Sequence, residues 1–390
     1  MKILQVVSHY VPSNSFGGVL QTAHMLGKSL KNINCDIRVC TTNMRTHDKN
    51  LSMSSGKLVS IDGVNVIYCE VKERSPLRRW GFSASMLPIL KEQVKWADIV
   101  LLHFHYQYAT WMAALLCRFY HCPYLIFTHG SLNKRAINAS GTEIKKKYMN
   151  ILESKNFKKA QYIAYQSKEE MSLSLEVGNS IIIPNGINPD DYSDLPPPGT
   201  LQTLYPQLQN KYIFLYLGRL DPNKGLDLLI RAFSNCVKNN PDLHLLLAGP
   251  DERGYKHVLE SLSKNNDVLK NITFTGYISG ETKLAVLRDC NAFVLPSRYE
   301  GLSNAMLEAL YNGLPVITTP FVGLSQLLHE NKAALITDLD VHEITSKMDY
   351  LVRNPNEAKK MGKRGHNLVG RELLWDNIAK SLYEVLSDIT

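Results

Sequence analysis

What the sequence lacks narrows its reading first. No apolar run approaches the ~18 residues that cross a bilayer, so no membrane-spanning helix is expected. The opening MKILQVVSHYVPS carries one Lys and a short apolar stretch before Ser8 and His9. That is too short for a signal peptide and reads as a buried first strand. The cysteines Cys35, Cys40, Cys69, Cys117, Cys122, Cys236 and Cys290 are scattered and form no C-x-x-C pair. A zinc module or disulfide framework is therefore disfavoured, and reduced thiols in a cytoplasmic setting are expected. Neither G-x-G-x-x-G nor G-x-x-x-x-G-K-[ST] occurs, which disfavours a nicotinamide dehydrogenase and a P-loop nucleotidase. No nucleic-acid-binding module is visible either, so nucleic acid is not an expected partner.

What is present fits two folded domains. The chain has 390 residues, 44% of them hydrophobic and 21% charged, which is too long for one ordinary core. Its net charge of +8 is unevenly placed. Residues 1–190 hold 23 Lys and Arg against 13 Asp and Glu, whereas residues 191–390 hold 21 against 23. A basic first half suits an anionic acceptor or an anionic membrane surface.

Short β-branched runs recur between helix-like stretches. In the first half they are Ile3–Val7, Ile37–Cys40, Val64–Tyr68, Ile99–His103, Tyr124–Thr128, Tyr162–Tyr165 and Ile181–Ile183. Near-continuous apolar runs of this length predict parallel strands covered on both faces. Between them, Leu20–Lys31 and Trp111–Tyr120 read as helices. The rhythm breaks over 191–206, where Pro196, Pro197, Pro198 and Gly199 suggest an interdomain linker. It restarts with strands at Tyr212–Leu217, His244–Leu247, Ile272–Phe274, Ala292–Leu295, Val316–Thr318 and Ala334–Ile336. Two doubly wound α/β domains on either side of a ligand cleft are the expectation.

Four groups of residues carry the chemistry. In LPSRYEGLSNAMLE, a strand ends at Leu295, a loop carries Glu300 and Gly301, and a helix starts near Ser303. Backbone N–H groups at such a start attract a phosphate. Glu300 is placed to accept from sugar hydroxyls, and Glu308 to take a ribose; the bland alternative is a capping serine with two solvated glutamates. In LGRLDPNKG, Arg219 and Lys224 flank a turn after the first strand of the second half. Two cations there would neutralise a diphosphate, although Lys and Arg are routine in exposed turns. Gly17 and Gly18 follow strand one and open a helix, which permits close approach of a ligand or merely packing. His103, His105 and His129 lie at strand ends, where doubly wound sheets line their ligand crevices. His129 is a candidate to donate to a sugar or a developing charge, and His103 and His105 are acceptor-side candidates. His103-x-His105 lacks an evident third ligand, so no metal is expected.

Together these residues resemble the retaining glycosyltransferases of family 4, which have the GT-B fold. The resemblance covers nearly the whole chain. It rests on Gly17-Gly18, Pro184-Asn185-Gly186-Ile187, Gly218-Arg219 with Lys224-Gly225, and Glu300 to Glu308 followed by Gly313-Leu314-Pro315-Val316. It implies an acceptor domain over 1–190, a linker over 191–206, a nucleotide-sugar domain over 207–372, and a C-terminal helix, 373–390, crossing back to the first domain. In the roles it implies, Arg219 and Lys224 bind the donor's diphosphate. Glu300 and the amides of Gly301, Leu302 and Ser303 hold the sugar and phosphate. Glu308 binds the ribose, Gly17-Gly18 close over the diphosphate, His129 lies near the sugar, and Tyr277 and Ile278 hold the base. No cofactor is implied beyond a nucleotide-sugar co-substrate, a UDP-hexose by base rate. The implied acceptor is a glycan or a lipid-linked molecule, at a cytoplasmic or peripheral inner-membrane location. Two departures stand out: Ser303 replaces a third glycine common in the family, and Ala248 to Tyr255 (AGPDERGY) replaces its usual glycine-rich segment. A non-hydrolysing sugar-nucleotide epimerase and a non-catalytic sugar-nucleotide-binding protein are the rival readings. The segments Arg74 to Phe82 and Lys145 to Lys159 mix cations with aromatic or aliphatic residues, and Trp80, Phe82 or Phe157 are candidates to insert at the headgroup level of an anionic membrane; the bland alternative is a solvated helix face.

Overall fold

The computed structural model describes residues 1–13, 18–46, 49–134, 137 and 152–390. The chain forms two compact units, Met1–Asn185 with Trp375–Thr390, and Gly186–Leu374.

The first unit is built on β1 (Lys2–Val7), β2 (Asp36–Thr42), β3 (Leu58–Ile61), β4 (Val64–Cys69), β5 (Ile99–His103), β6 (Tyr124–Phe127), β7 (Tyr162–Tyr165) and β8 (Ser180–Ile182). They lie in the order β3-β4-β2-β1-β5-β6-β7-β8. All neighbours are parallel except β3, which pairs antiparallel with β4. The central strands are buried on both faces, as their Val, Ile and Leu content demands. Helix α1 (Gly18–Asn32) covers one face; α2 (Met86–Trp96) and α3 (Tyr108–Tyr120) cover the other. The C-terminal helix Trp375–Ser387 returns to α1, burying Trp375, Ile378, Ala379, Leu382 and Leu386 in the same cluster as Ala23, Leu26 and Leu30.

The second unit has β9 (Tyr212–Leu217), β10 (Leu243–Ala248), β11 (Ile272–Gly276), β12 (Ala292–Leu295), β13 (Val316–Thr318) and β14 (Ala334–Ile336) in the order β11-β10-β9-β12-β13-β14. All pairs are parallel. Among its helices are α4 (Leu226–Asn239), α5 (Tyr255–Asn265), α6 (Gly280–Asp289) and α7 (Asn304–Tyr311). Winding reverses between β1 and β5 in the first sheet, and between β9 and β12 in the second. Ligands of open α/β sheets bind at the carboxyl ends of such strand pairs.

The proline-rich stretch read as a linker lies inside the second unit. Asp289, at the end of α6, accepts from the amides of Gly199 and Leu201 and fastens the stretch down.

Candidate functional site

The second switch point is assembled by backbone contact between loops. Gly225 has φ +67°, and a Cβ there would overlap Pro296 O, so only glycine lets the loop after β9 touch the loop after β12. Gly249 makes the same kind of approach to Gly218 O. Asp221 caps the turn of Pro222–Lys224 by accepting from the Asn223 amide at 2.9 Å. Arg298 locks that turn to the β12 loop. Its amide donates to Asn223 O at 2.7 Å, and its guanidinium donates to Pro222 O at 2.6 Å and to both carboxylate oxygens of Asp227 at 2.9 and 2.8 Å. Asp227 raises the Arg298 pKa further.

This scaffold brings Lys224 Nζ onto Glu300 Oε2, with both side chains largely buried. The Glu300 backbone is pinned by Phe321 O at 3.0 Å and by the Gly323 amide at 3.2 Å. Ser303 caps α7, accepting from the Met306 amide at 3.3 Å. The amides of Gly301, Leu302 and Ser303 make no hydrogen bond among the described residues. A cation and three free N–H groups at a helix start are thus gathered beside one carboxylate, an arrangement suited to an anion carrying hydroxyls. Arg219 does not join Lys224; its guanidinium turns to Glu252 at 3.3 Å, half-exposed.

Glu308, in α7, accepts from Lys283 Nζ at 2.7 Å. Burial, followed by the Glu308 and Asp191 charges, pushes the Tyr192 hydroxyl's pKa up. Tyr277 is exposed after β11, and Ile278 packs on the core. In AGPDERGY, Asp251 accepts from the amides of Tyr255 and Lys256 and so starts α5. Asp338-Leu339-Asp340 is a helix start too, with Asp340 accepting from the Glu343 amide. Among the described residues no group of three His, Cys, Asp or Glu is placed to hold a metal ion.

The first unit's histidines form a directional chain. His103 Nε2–H donates to Gln5 Oε1 at 2.7 Å, so His103 Nδ1 accepts from His129 Nε2–H at 3.2 Å. His129 Nδ1 then accepts from Gln166 Nε2 at 3.3 Å, and Gln166 donates its other proton to Asn185 Oδ1 at 2.7 Å. Burial holds His129 down to about 4 and His105 to about 3. His103 is lowered by burial and by His129. All three rings are therefore neutral at pH 7. A sugar hydroxyl approaching His129 must displace Gln166 or His103. His105 has a separate partner, Ser131 Oγ at 2.8 Å. Buried Glu170 accepts from Thr128 Oγ1, the Gly130 amide and the Gln166 amide, each at 2.6 Å, and holds the left-handed His129–Gly130 turn. Its pKa is raised, mainly by burial.

Gly18 begins α1, whereas Gly17 and Lys145–Lys147 lie outside the described residues. The expected membrane anchors turn inward. Phe157 is in the core, Phe82 packs on Tyr108, and Trp80 packs on Tyr108 and Trp111. Arg78 is buried and donates to Thr46 O, Lys49 O, Val71 O and Asn50 Oδ1. These backbone carbonyls need donors, and apolar rings in reach of a core leave solvent. Sequence reasoning also passed over Arg298, Lys283, Tyr192, Gln5, Gln166 and Glu170; only Arg298, two residues before Glu300, had a nearby signal.

Residues 205–368 match the family described as glycosyl transferases group 1, and residues 16–191 match glycosyltransferase family 4. An uncharacterized glycosyltransferase of Methanocaldococcus jannaschii is 26% identical over 330 residues, 83% of this chain and 86% of that protein. A GDP-mannose-dependent alpha-(1-6)-phosphatidylinositol monomannoside mannosyltransferase of Mycolicibacterium smegmatis is 27% identical over 53% of this chain. That match spans only 55% of the relative's length. Sucrose-phosphate synthase from Thermosynechococcus elongatus superposes with a TM-score of 0.76 at 20% identity, covering 100% of this chain and 98% of that one. HepE of Anabaena, solved with UDP and glucose, gives 0.78 at 16% identity with 100% of both chains covered.

Proposed function

The chain is a glycosyltransferase of family 4 with the GT-B fold, and from that premise we propose a retaining, metal-independent hexosyltransferase. It moves a hexose from a UDP-sugar to a glycan or lipid-linked acceptor in polysaccharide or glycoconjugate biosynthesis. The observation that carries this reading is Lys224 on Glu300 beside the free amides of Gly301, Leu302 and Ser303. A diphosphate there meets fixed positive charge as the leaving group develops its own negative charge. Arg219 supplies a second cation, since a half-exposed pair such as Arg219–Glu252 holds it only weakly. Glu300 takes hydroxyls of the hexose, Glu308 the ribose, and Tyr277 and Ile278 the base. Gly17 and Gly18 close over the diphosphate, and His129 orients the sugar once one ring partner is exchanged. Retention follows from same-face attack, with the leaving phosphate taking the acceptor's proton. The enzyme works in the cytoplasm, with cations of the basic first half, exposed Arg74 among them, toward an anionic inner membrane face.

The HepE complexes with UDP support the choice of base, and the GDP-mannose-dependent relative marks the alternative. Incubation with a panel of UDP- and GDP-hexoses, reading released nucleotide and the anomeric configuration by NMR, tests the reading. Release of UDP with retained configuration is expected. Release from GDP-sugars alone, an inverted product, or a new UDP-sugar in place of free UDP would overturn it.

A further inference from the structure

The first switch point, between β1 and β5, holds a cavity of about 200 Å³. Its wall includes Ser8 and His9 after β1, Leu20 of α1, His103 and Phe104 at the end of β5, Gln107 before α3, and Arg79. This is smaller than the ~300–1,000 Å³ of sites for drug-sized ligands, and suits one sugar ring.

Three features of that wall point to a ligand. Ser8 is 5% exposed, and its hydroxyl has no hydrogen-bond partner among the described residues. The Gln107 side-chain oxygen is equally shielded and equally without a donor. Gln107 stands at the N-cap of α3 in extended backbone, yet its side chain makes no capping bond. A buried polar atom left unpaired destabilises a fold by ~1–3 kcal/mol, so a site that keeps two is shaped for groups that arrive later. The loop itself is strained: Phe104 and Tyr106 have φ of +72° and +66°, left-handed values rare in aromatic residues and concentrated at ligand sites. Arg79 is exposed at the wall and has no ion pair or hydrogen bond among the described residues. Its neighbour Arg78 is consumed by backbone carbonyls. Apolar surface from Val7, Leu20 and Phe104 completes the wall.

We propose that this cavity is the acceptor subsite and takes a single pyranose ring bearing a carboxylate or phosphate, which Arg79 holds. The proposal rests on the glycosyltransferase reading and gives its acceptor a chemical class. The ring's C–H face lies on Phe104 and Leu20. Ring hydroxyls donate to Gln107 and exchange hydrogen bonds with Ser8. His103 has both nitrogens engaged and contributes its ring surface rather than a proton. The anionic group is read by the guanidinium, whose planar fork matches either oxyanion.

The full chain, saturated with UDP so that the donor site is occupied, is titrated with glucuronic acid, glucose 6-phosphate, glucose and inorganic phosphate by ligand-observed NMR. At least one acidic sugar binds about tenfold or more tighter than glucose, and their rank identifies carboxylate or phosphate. Arg79→Gln abolishes that preference. Because Arg79 is exposed, this variant keeps the fold, which UDP affinity of the variant checks. Ser8→Ala weakens every sugar about threefold while the acidic preference remains. Equal affinity for glucose and both acidic sugars, or an unchanged preference in Arg79→Gln, overturns the proposal. Inorganic phosphate binding as tightly as the acidic sugars overturns the ring subsite. Failure of UDP itself to bind, in a separate titration, counts against the donor-site reading instead.

Discussion

The two switch points solve the same topological problem with opposite electrostatics. In the first unit the polar groups beneath the strand ends are neutral and buried, a chain of Gln5, His103, His129, Gln166 and Asn185 with every imidazole nitrogen assigned. In the second unit they are charged and part-exposed: Lys224 with Glu300, Lys283 with Glu308, Arg219 with Glu252, Arg298 with Asp227. Neutral hydrogen bonds hold geometry at any ionic strength. Ion pairs at such a strand end can exchange one carboxylate for a phosphate, and the half-exposed Arg219–Glu252 pair is the most weakly held. Rigidity and exchangeable charge are thus divided between two sheets of similar winding.

The largest expected effect is on the contact that makes the charged site. Gly225→Ala forces a Cβ onto Pro296 O at a left-handed position, and overlap with backbone has nowhere to relax. A stability loss of about 3 kcal/mol or more in urea unfolding, with nucleotide binding abolished, is expected; unchanged affinity would show that the two loops need not touch.

Next comes the cation itself. Lys224→Ala removes charge-assisted contacts worth about 1.5–3 kcal/mol, so calorimetry should record a ten- to hundredfold loss of nucleotide affinity. Glu300→Gln should lower turnover more than affinity. If both variants bind UDP like the wild type, the second switch point is not the donor site.

The buried histidines of the first unit offer the complementary test. Their folded pKa values lie below the ordinary ~6.5, about 4 for His129 and about 3 for His105. Between those values and 6.5 the unfolded chain binds more protons than the folded one, so stability is full above pH 6.5 and falls as pH drops toward 4. A decline of several kcal/mol, about 1.4 for each unit by which each ring is displaced, is expected across that window in urea unfolding, partly shared by His244 of the second unit, lowered to about 4 by burial and by Lys211. A flat profile would remove the contrast between the units.

Glu308→Ala should weaken UDP by several-fold, about 0.5–1.5 kcal/mol for one hydrogen-bonding group, with kcat for the remaining complex little changed. The smallest effect is none: activity should survive excess EDTA, and loss restored by manganese would replace cationic side chains with a metal.

Much of the architecture was legible. Ile99–His103, Tyr162–Tyr165, Tyr212–Leu217 and Ala292–Leu295 were read to the residue, because strands buried on both faces admit few polar residues. The hairpin strand Leu58–Ile61 escaped notice because its residues alternate between exposed and half-buried, leaving no apolar run. The proline stretch misled because Pro and Gly mark a turn equally well inside a domain; the restraint comes from Asp289, far away in the chain. In the site, Lys224 and Glu300 were legible from loops following strands. The Lys283–Glu308 and Arg298–Asp227 pairs, and the Gln5–His103 bond across 98 residues, depend on long-range closure that no local pattern carries.

The return of Trp375–Ser387 to α1 has a consequence for the order of synthesis. The ribosome synthesises the whole second unit before it makes the helix that covers Ala23, Leu26 and Leu30. The unit that is begun first is therefore finished last. Through the time needed to translate some 190 intervening residues, an apolar face of α1 stays open to water, chaperones or a neighbouring nascent chain. Synthesis of the second unit precedes closure of the first, and loss of the helix Trp375–Ser387 would leave the first unit unsealed.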